Sequence, residues 1–302
     1  MNAHIDLAQS EALRLRWISV QCYEMVLPNG KVIVTDPFYW DGSNYDALPS
    51  LNRQQEAERK VYAQTGFSVE SFTGADYILI SHAHGDHTNL TGKLWNRFYG
   101  RVLVPAGAAE EIARVYNIPY GAVMPLYPGN TYYLDDFTLT VYPGAHDNRA
   151  FREGRFPRPD RSENQDMGSD AFGIPSPNRL AGLGYMFCFN FLIETQQNYR
   201  IDFSAGRDFP DHVRHVADKS PNLMLRHRIR TYTPEEYARQ MEAMGAQLMM
   251  PLHQNNARAS DEDLDEYFQR VNQVLQADKY PGVAFNPRPY QWYRIYTGIS
   301  GI

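Results

Sequence analysis

Apolar and polar residues along this chain alternate in short blocks that switch between a two-residue and a helical period, the pattern of strands interleaved with helices. Leu15 to Met25 and Lys31 to Thr35 flank Pro28-Asn29-Gly30, and Asn-Gly between apolar runs predicts a hairpin. Residues 39 to 70 are polar and aromatic, with a helix expected over Arg53 to Tyr62. A strand over 76 to 80, an amphipathic helix over Ala106 to Tyr116 and an alternating strand from Phe137 to Tyr142 follow, the last closed by a turn at Pro143-Gly144. Tyr185 to Glu194 and Tyr199 to Phe203 flank Gln196-Gln197-Asn198 and predict a second hairpin. Thr233 reads as a helix cap, with Pro234 first, Glu236 completing a capping box and Gly245 ending the helix. Tyr237, Met241 and Met244 form its core stripe; a last helix from near Ser260 buries Leu264, Phe268, Val271 and Leu275. No fixed-period repeat is visible.

Chemistry concentrates just beyond Tyr77-Ile78-Leu79-Ile80, in Ser81-His82-Ala83-His84-Gly85-Asp86-His87. Three imidazoles and a carboxylate in six residues suit zinc and its first-row neighbours. His82 and His84 stand two apart and share a side while the chain is extended, so one metal can take both. After Gly85 the chain can turn, which points Asp86 and His87 elsewhere, toward room for a second metal.

This H-x-H-x-D-H run resembles the signature of the metallo-β-lactamase superfamily. The resemblance implies further ligands on loops after strands, and the chain offers His146 after Phe137 to Tyr142 as third histidine of the first metal. His253, after Leu248-Met249-Met250-Pro251-Leu252, matches the late histidine of the second. Where that family has a strand ending in Gly-Asp, whose Asp bridges both metals, this chain reads Gly206-Arg207-Asp208. Asp208 is the expected bridge and Asp202 the fallback. Thr231 to Tyr237 through His253, and Lys31 to Phe38 with its Asp36-Pro37, resemble the L-ascorbate-6-phosphate lactonase-like group. The implied fold is the αββα four-layer sandwich, here one domain over residues 1–302 with an insertion at 148–182. That insertion carries Arg149, Arg152, Arg155, Arg158, Arg161 and Arg179 and reads either as a lid gripping an anionic substrate or as a solvated loop or oligomer contact.

Length and composition agree with one large α/β domain, since 302 residues at 43% hydrophobic content can bury a substantial core. A net charge of −6 and a pI near 5.8 argue against a broad nucleic-acid or anionic-membrane surface. Cys22 and Cys188 sit in strand-like apolar surroundings and read as packed thiols. Met1 to Glu11 lacks the basic and apolar regions of a signal peptide, and Gly182 to Ile193 is too short to span a bilayer as a helix; a cytoplasmic location is expected.

The resemblance therefore implies a hydrolase with two divalent ions, zinc or manganese: His82, His84 and His146 on the first, Asp86, His87 and His253 on the second, Asp208 between, and an intervening hydroxide as nucleophile. Asp36 either orients a ligand or only ends its strand. A small-molecule ester or lactone is the expected substrate, phosphodiester cleavage by the same hydroxide the nearest alternative, and a metal-stabilised binding or sensor protein the reading from another class. A homo-oligomer stays open.

Overall fold

Alternation within the strands sorts side chains onto two faces, and the two faces fill different cores. The structure is a computed structural model and describes residues 12–39, 56, 60, 63–146, 180–228, 232–254 and 263–296. Its strands are β1 (Leu13–Ser19), β2 (Cys22–Val26), β3 (Val32–Thr35), β4 (Tyr77–Leu79), β5 (Arg101–Pro105), β6 (Val123–Leu126) and β7 (Thr131–Tyr133). β8 (Phe137–Gly144), β9 (Cys188–Thr195), β10 (Arg200–Ser204), β11 (Leu223–His227), β12 (Leu248–Leu252), β13 (Val283–Ala284) and β14 (Tyr293–Ile295) complete the set. One seven-stranded sheet runs β14-β1-β2-β3-β4-β5-β6 and a second β13-β12-β11-β10-β9-β8-β7.

Tyr23, Ile33 and Leu79 of the first sheet meet Val141, Phe191, Leu225 and Leu252 of the second in an inner core. Each such side chain contributes roughly 1.5–3 kcal/mol on burial, before the entropy it gives up. Neighbouring positions face outward. Val34, Ile78 and Val104 pack under α2 (Thr91–Phe98), α3 (Ala109–Val115) and α4 (Leu180–Met186), which follow the short α1 (Gly85–Thr88). Leu192, Met224 and Met249 pack under α5 (Pro210–Lys219), α6 (Pro234–Met244) and α7 (Leu264–Ala277). Helix, sheet, sheet and helix make the expected αββα sandwich.

The turn chemistry holds at three places. Gly30 has φ +87 in the β2–β3 hairpin, Asn198 has φ +64 in the β9–β10 hairpin, and Thr233 and Glu236 exchange the capping-box hydrogen bonds while Gly245 ends α6 at φ +64. Other readings need correction. The run Leu15 to Met25 is two antiparallel strands, broken at Val20-Gln21, where Val20 takes φ +49. Tyr185 lies in α4, and β9 begins only at Cys188. Pro143-Gly144 stays in β8 because its neighbours Phe189 and Cys188 are there to pair with it. The helix expected over Arg53 to Tyr62 falls mostly outside the described residues, as does the insertion, of which only 180–182 are described. Cys22 and Cys188 are free and buried, and burial pushes both thiols up, away from reactivity. No helix among the described residues is long and apolar enough to cross a membrane.

Topology sets where the chemistry falls. β3 runs parallel to β4, and β10, β11 and β12 run parallel to one another. β8 and β10 are each antiparallel to β9, so they too point the same way. Every motif that follows one of these strands is delivered to a carboxyl edge, the customary place for function in open α/β sheets.

Candidate metal centre

Three strand ends bring six of the seven proposed ligands together. His82 and His84 follow β4, His146 follows β8, and their donor atoms lie within 4.8 Å of one another. Asp86, His87 and His253, the last following β12, form a second such group. The rings interlock: centroids are 4.8 Å apart for His82 and His84, 4.6 Å for His84 and His146, and 5.2 Å for His87 and His253. His87 also touches His82 at 3.8 Å, which joins the two triads into one centre.

Asp36 is the organiser of that junction. Its main chain, at φ +35, is held by a hydrogen bond its amide donates to Leu79 O, an unusual backbone state for a non-glycine residue and of the kind that clusters at functional sites. The carboxylate accepts from the Ser81 amide at 2.6 Å and from the Ser81 hydroxyl at 2.5 Å, and meets His87 Nδ1 at 2.9 Å. Ser81 gives its one hydroxyl proton to Asp36, so in the 2.9 Å contact with His82 Nδ1 the imidazole N–H donates. Both histidines therefore present a lone pair on Nε2 to the centre. Of the two readings of Asp36, the structure carries the orienting one.

These residues fit divalent metals. His82 Nε2 is buried and has no hydrogen-bond partner. His87 Nε2 lies 3.2 Å from His253 Nε2 and 3.3 Å from an Asp86 oxygen, a convergence of electron pairs that a cation satisfies. Burial, then the neighbouring imidazoles, holds His82, His87 and His253 well below the ordinary histidine range, in the neutral form that a metal can use. Burial lifts the Asp36 carboxyl well above its usual range against the Ser81 bonds, and a cation on His87 favours its ionised form. His253 takes φ +60 and ties its amide to Val20 O at 3.0 Å, so the broken β1–β2 strand is what anchors it.

Asp208 is not brought into either triad. Its carboxylate pairs with Arg226, accepts from Asn190 Nδ2 at 3.1 Å and meets His212 Nδ1 at 3.0 Å. Asp202, the fallback, meets the other nitrogen of the same His212 at 2.9 Å and accepts from Ser204 at 2.5 Å. The physical reason is strand parity: Asp202 shares the outward face of β10 with Ser204, while Arg226 shares that of β11 with Met224, so the cation that claims Asp208 lies on the far side of the sheet. Burial alone would drive His212 down, but Asp202 and Asp208 outweigh it and push it up to about 9. Desolvation is likewise overcome at Asp208, which His212 and Arg226 hold below the usual carboxylate range. The expected carboxylate bridge is thus a buried ion cluster beside the centre.

Sequence reasoning missed three residues. Ser81 was passed over inside its own motif. Tyr185 lies edge-on to His84 at 4.3 Å and to His146 at 4.9 Å, brought there by α4, whose Gly184 backbone sits so close to His84 that a Cβ would meet the ring at 2.3 Å. His227, last in β11, sits 5.0 Å from His253, ring perpendicular to ring; counting by two from buried Leu225 was the available signal. Grooves of about 620 and 680 Å³ lie elsewhere, near Tyr142 and His215 and along Gln269 and Gln273, and no donor lines either.

A fold of this layering with paired donor triads at one sheet edge defines a class, and comparison with known proteins points to the same one. The family model described as the beta-lactamase superfamily domain matches residues 14–159. No curated protein shows a significant sequence match. Among solved structures, the chain is similar to Igni18, a metallo hydrolase from the archaeon Ignicoccus hospitalis (12% identity, 95% of this chain and 100% of that one, TM-score 0.63). It is similar also to an isothiocyanate hydrolase from Delia radicum gut bacteria (11%, 93% and 98%, TM-score 0.60). CmlA, a diiron β-hydroxylase from Streptomyces venezuelae, shares the fold over 95% of this chain and 54% of its own (13%, TM-score 0.55). The chain has the metallo-β-lactamase fold, and these matches support that superfamily.

Proposed function

We propose that the protein is a metal-dependent hydrolase acting on a small-molecule ester or lactone, of the L-ascorbate-6-phosphate lactonase-like kind, within a single domain. The observation that carries this reading is the pair of converging donor triads, with Asp36 and Ser81 setting the tautomers of two of their histidines. His82, His84 and His146 would hold one divalent ion and Asp86, His87 and His253 another, zinc or manganese. Such ions lower the pKa of water and polarise the bond it attacks. The chain's own contribution is to keep the imidazoles neutral, to fix their Nε2 lone pairs toward the centre and to leave Asp86 as the one carboxylate in the triads. Neither serine nor cysteine is needed as a nucleophile, in keeping with the inert, buried thiols.

The acidic balance supports small molecules over nucleic acid as partners, and a cytoplasmic, membrane-free setting belongs to the same reading. The test is elemental analysis, then a screen of the metal-loaded protein on lactones, aryl esters and bis-aryl phosphates. Close to two transition-metal ions with chelator-sensitive lactone or ester cleavage is expected. Cleavage of the phosphates alone moves the reading to phosphodiesters, and metal without turnover moves it to a binding or sensor role. Iron with oxygen consumption would place its chemistry beside that of the diiron neighbour. Failure to bind zinc or manganese after reloading would overturn the reading.

A further inference from the structure

His227 is the histidine at the centre that no donor triad claims. It ends β11, in parallel register with Leu252, the residue before His253. Leu225 packs in the inner core and Arg226 turns outward to Gln240 and Asp208, so the two-residue period aims His227 inward, at the same edge as the triads. The ring stands 5.0 Å from that of His253, a spacing like those within the triads. Its nitrogens nevertheless belong to none of the three groups of donors lying within 4.8 Å, the two triads and Asp36 with His82 and His87. The ring makes no hydrogen bond among the described residues, and it is only part-buried where His82, His84 and His87 are buried.

A half-buried polar ring beside the donor triads, with no hydrogen bond among the described residues, is placed to meet what binds there. The electrostatic surroundings say what charge that should be. Two divalent ions held by the triads would be offset by Asp86 and, through His87, by Asp36, which leaves the centre cationic. Asp208 adds no charge there, because Arg226, His212 and Asn190 hold it. A site of that charge suits an oxyanion, to which an imidazole can donate an N–H.

We propose that His227 is a substrate-contacting residue, donating a ring N–H to a negatively charged oxygen, carboxylate or phosphate, bound against the two donor triads. The inference rests on the proposed metal centre but not on hydrolysis, so the two can fail separately. It is tested on the full-length, zinc-loaded protein by calorimetric titration with inorganic phosphate and with acetate, beside metal analysis and the absorption spectrum of the cobalt-loaded form. His227→Ala is expected to keep the wild-type metal content and resting cobalt spectrum while weakening binding of the preferred anion about tenfold or more, the effect of losing a hydrogen bond to a charged group. His227→Gln, which retains an N–H donor, should recover part of that loss, and His215→Ala on α5 should show none. Whichever of phosphate and acetate loses more identifies the oxyanion. Loss of metal in His227→Ala and His227→Gln alike would make the residue a ligand instead and overturn the proposal. So would unchanged anion affinity in both variants, or no affinity for either anion in the wild type.

Discussion

Two buried arrays of histidine and aspartate lie at the same edge of the sandwich and end in opposite charge states. Around Asp36, His82, His87 and His253, imidazoles outnumber carboxylates and burial dominates, so the rings stay neutral. Across the sheet, His212 sits between Asp202 and Asp208 and is pushed up to about 9, a cation that closes an ion cluster with Arg226. The same residue types form a set of neutral donors in one place and an internal salt in the other. What separates them is the balance at each ring, burial and other imidazoles in the first array against two carboxylates on one ring in the second.

The largest expected effect comes from breaking the neutral array. His84→Ala or His146→Ala should empty the first metal position, and His253→Ala the second, with loss of chelator-sensitive activity; equal metal content in all three by elemental analysis would contradict the division into triads. Asp208→Ala should do the reverse, keeping both metals while leaving Arg226 buried without its carboxylate and His212 with Asp202 alone. A loss of about 3–5 kcal/mol in denaturant unfolding is expected, the cost of breaking a buried pair. Loss of a metal in that variant would restore Asp208 as the bridge.

The third prediction uses pH. A folded pKa of about 9 for His212, above the ordinary 6.5, contributes stability that is complete below about pH 6.5 and disappears as pH rises through 9. The metal-free protein should lose on the order of 3 kcal/mol over that window, by the usual conversion of a pKa shift. His212→Gln should flatten the profile in thermal unfolding measured from pH 6 to 10; a profile as steep as the wild type would place the titration elsewhere. The smallest effect is expected at Asp36→Asn, which keeps the shape but weakens the acceptor for His87 Nδ1 and Ser81. Metal affinity should fall about 10- to 100-fold by competition with a chelator, as for other residues that orient ligands. An unchanged affinity would reduce Asp36 to the end of a strand.

Much of this was legible along the chain wherever the interaction is local. Strand alternation, the Asn29-Gly30 turn and the Thr233 capping box depend on residues a few positions apart, and their geometry follows from backbone sterics and short hydrogen bonds. The H-x-H-x-D-H run is local too, so its donors could be named before the fold was known. Residues 15 to 25 were misread because an apolar run shows no period of its own, and the turn at Val20-Gln21 interrupts it without glycine or proline. Tyr185 was misread for a like reason, in an apolar run that passes from helix to strand.

By itself, the sequence determined the two-faced strands and the donor run from His82 to His87, because periodicity and spacing are properties of neighbouring residues, while the αββα layering and the places of His146 and His253 followed from the family resemblance. Only the tertiary structure decided which carboxylate serves the centre. Asp36 reaches His87 across 51 positions, and Asp208 meets Arg226 through the parallel pairing of β10 with β11. A carboxylate goes to whichever cation or N–H the packing brings to it, and that choice is made between strands, where spacing along the chain carries no information.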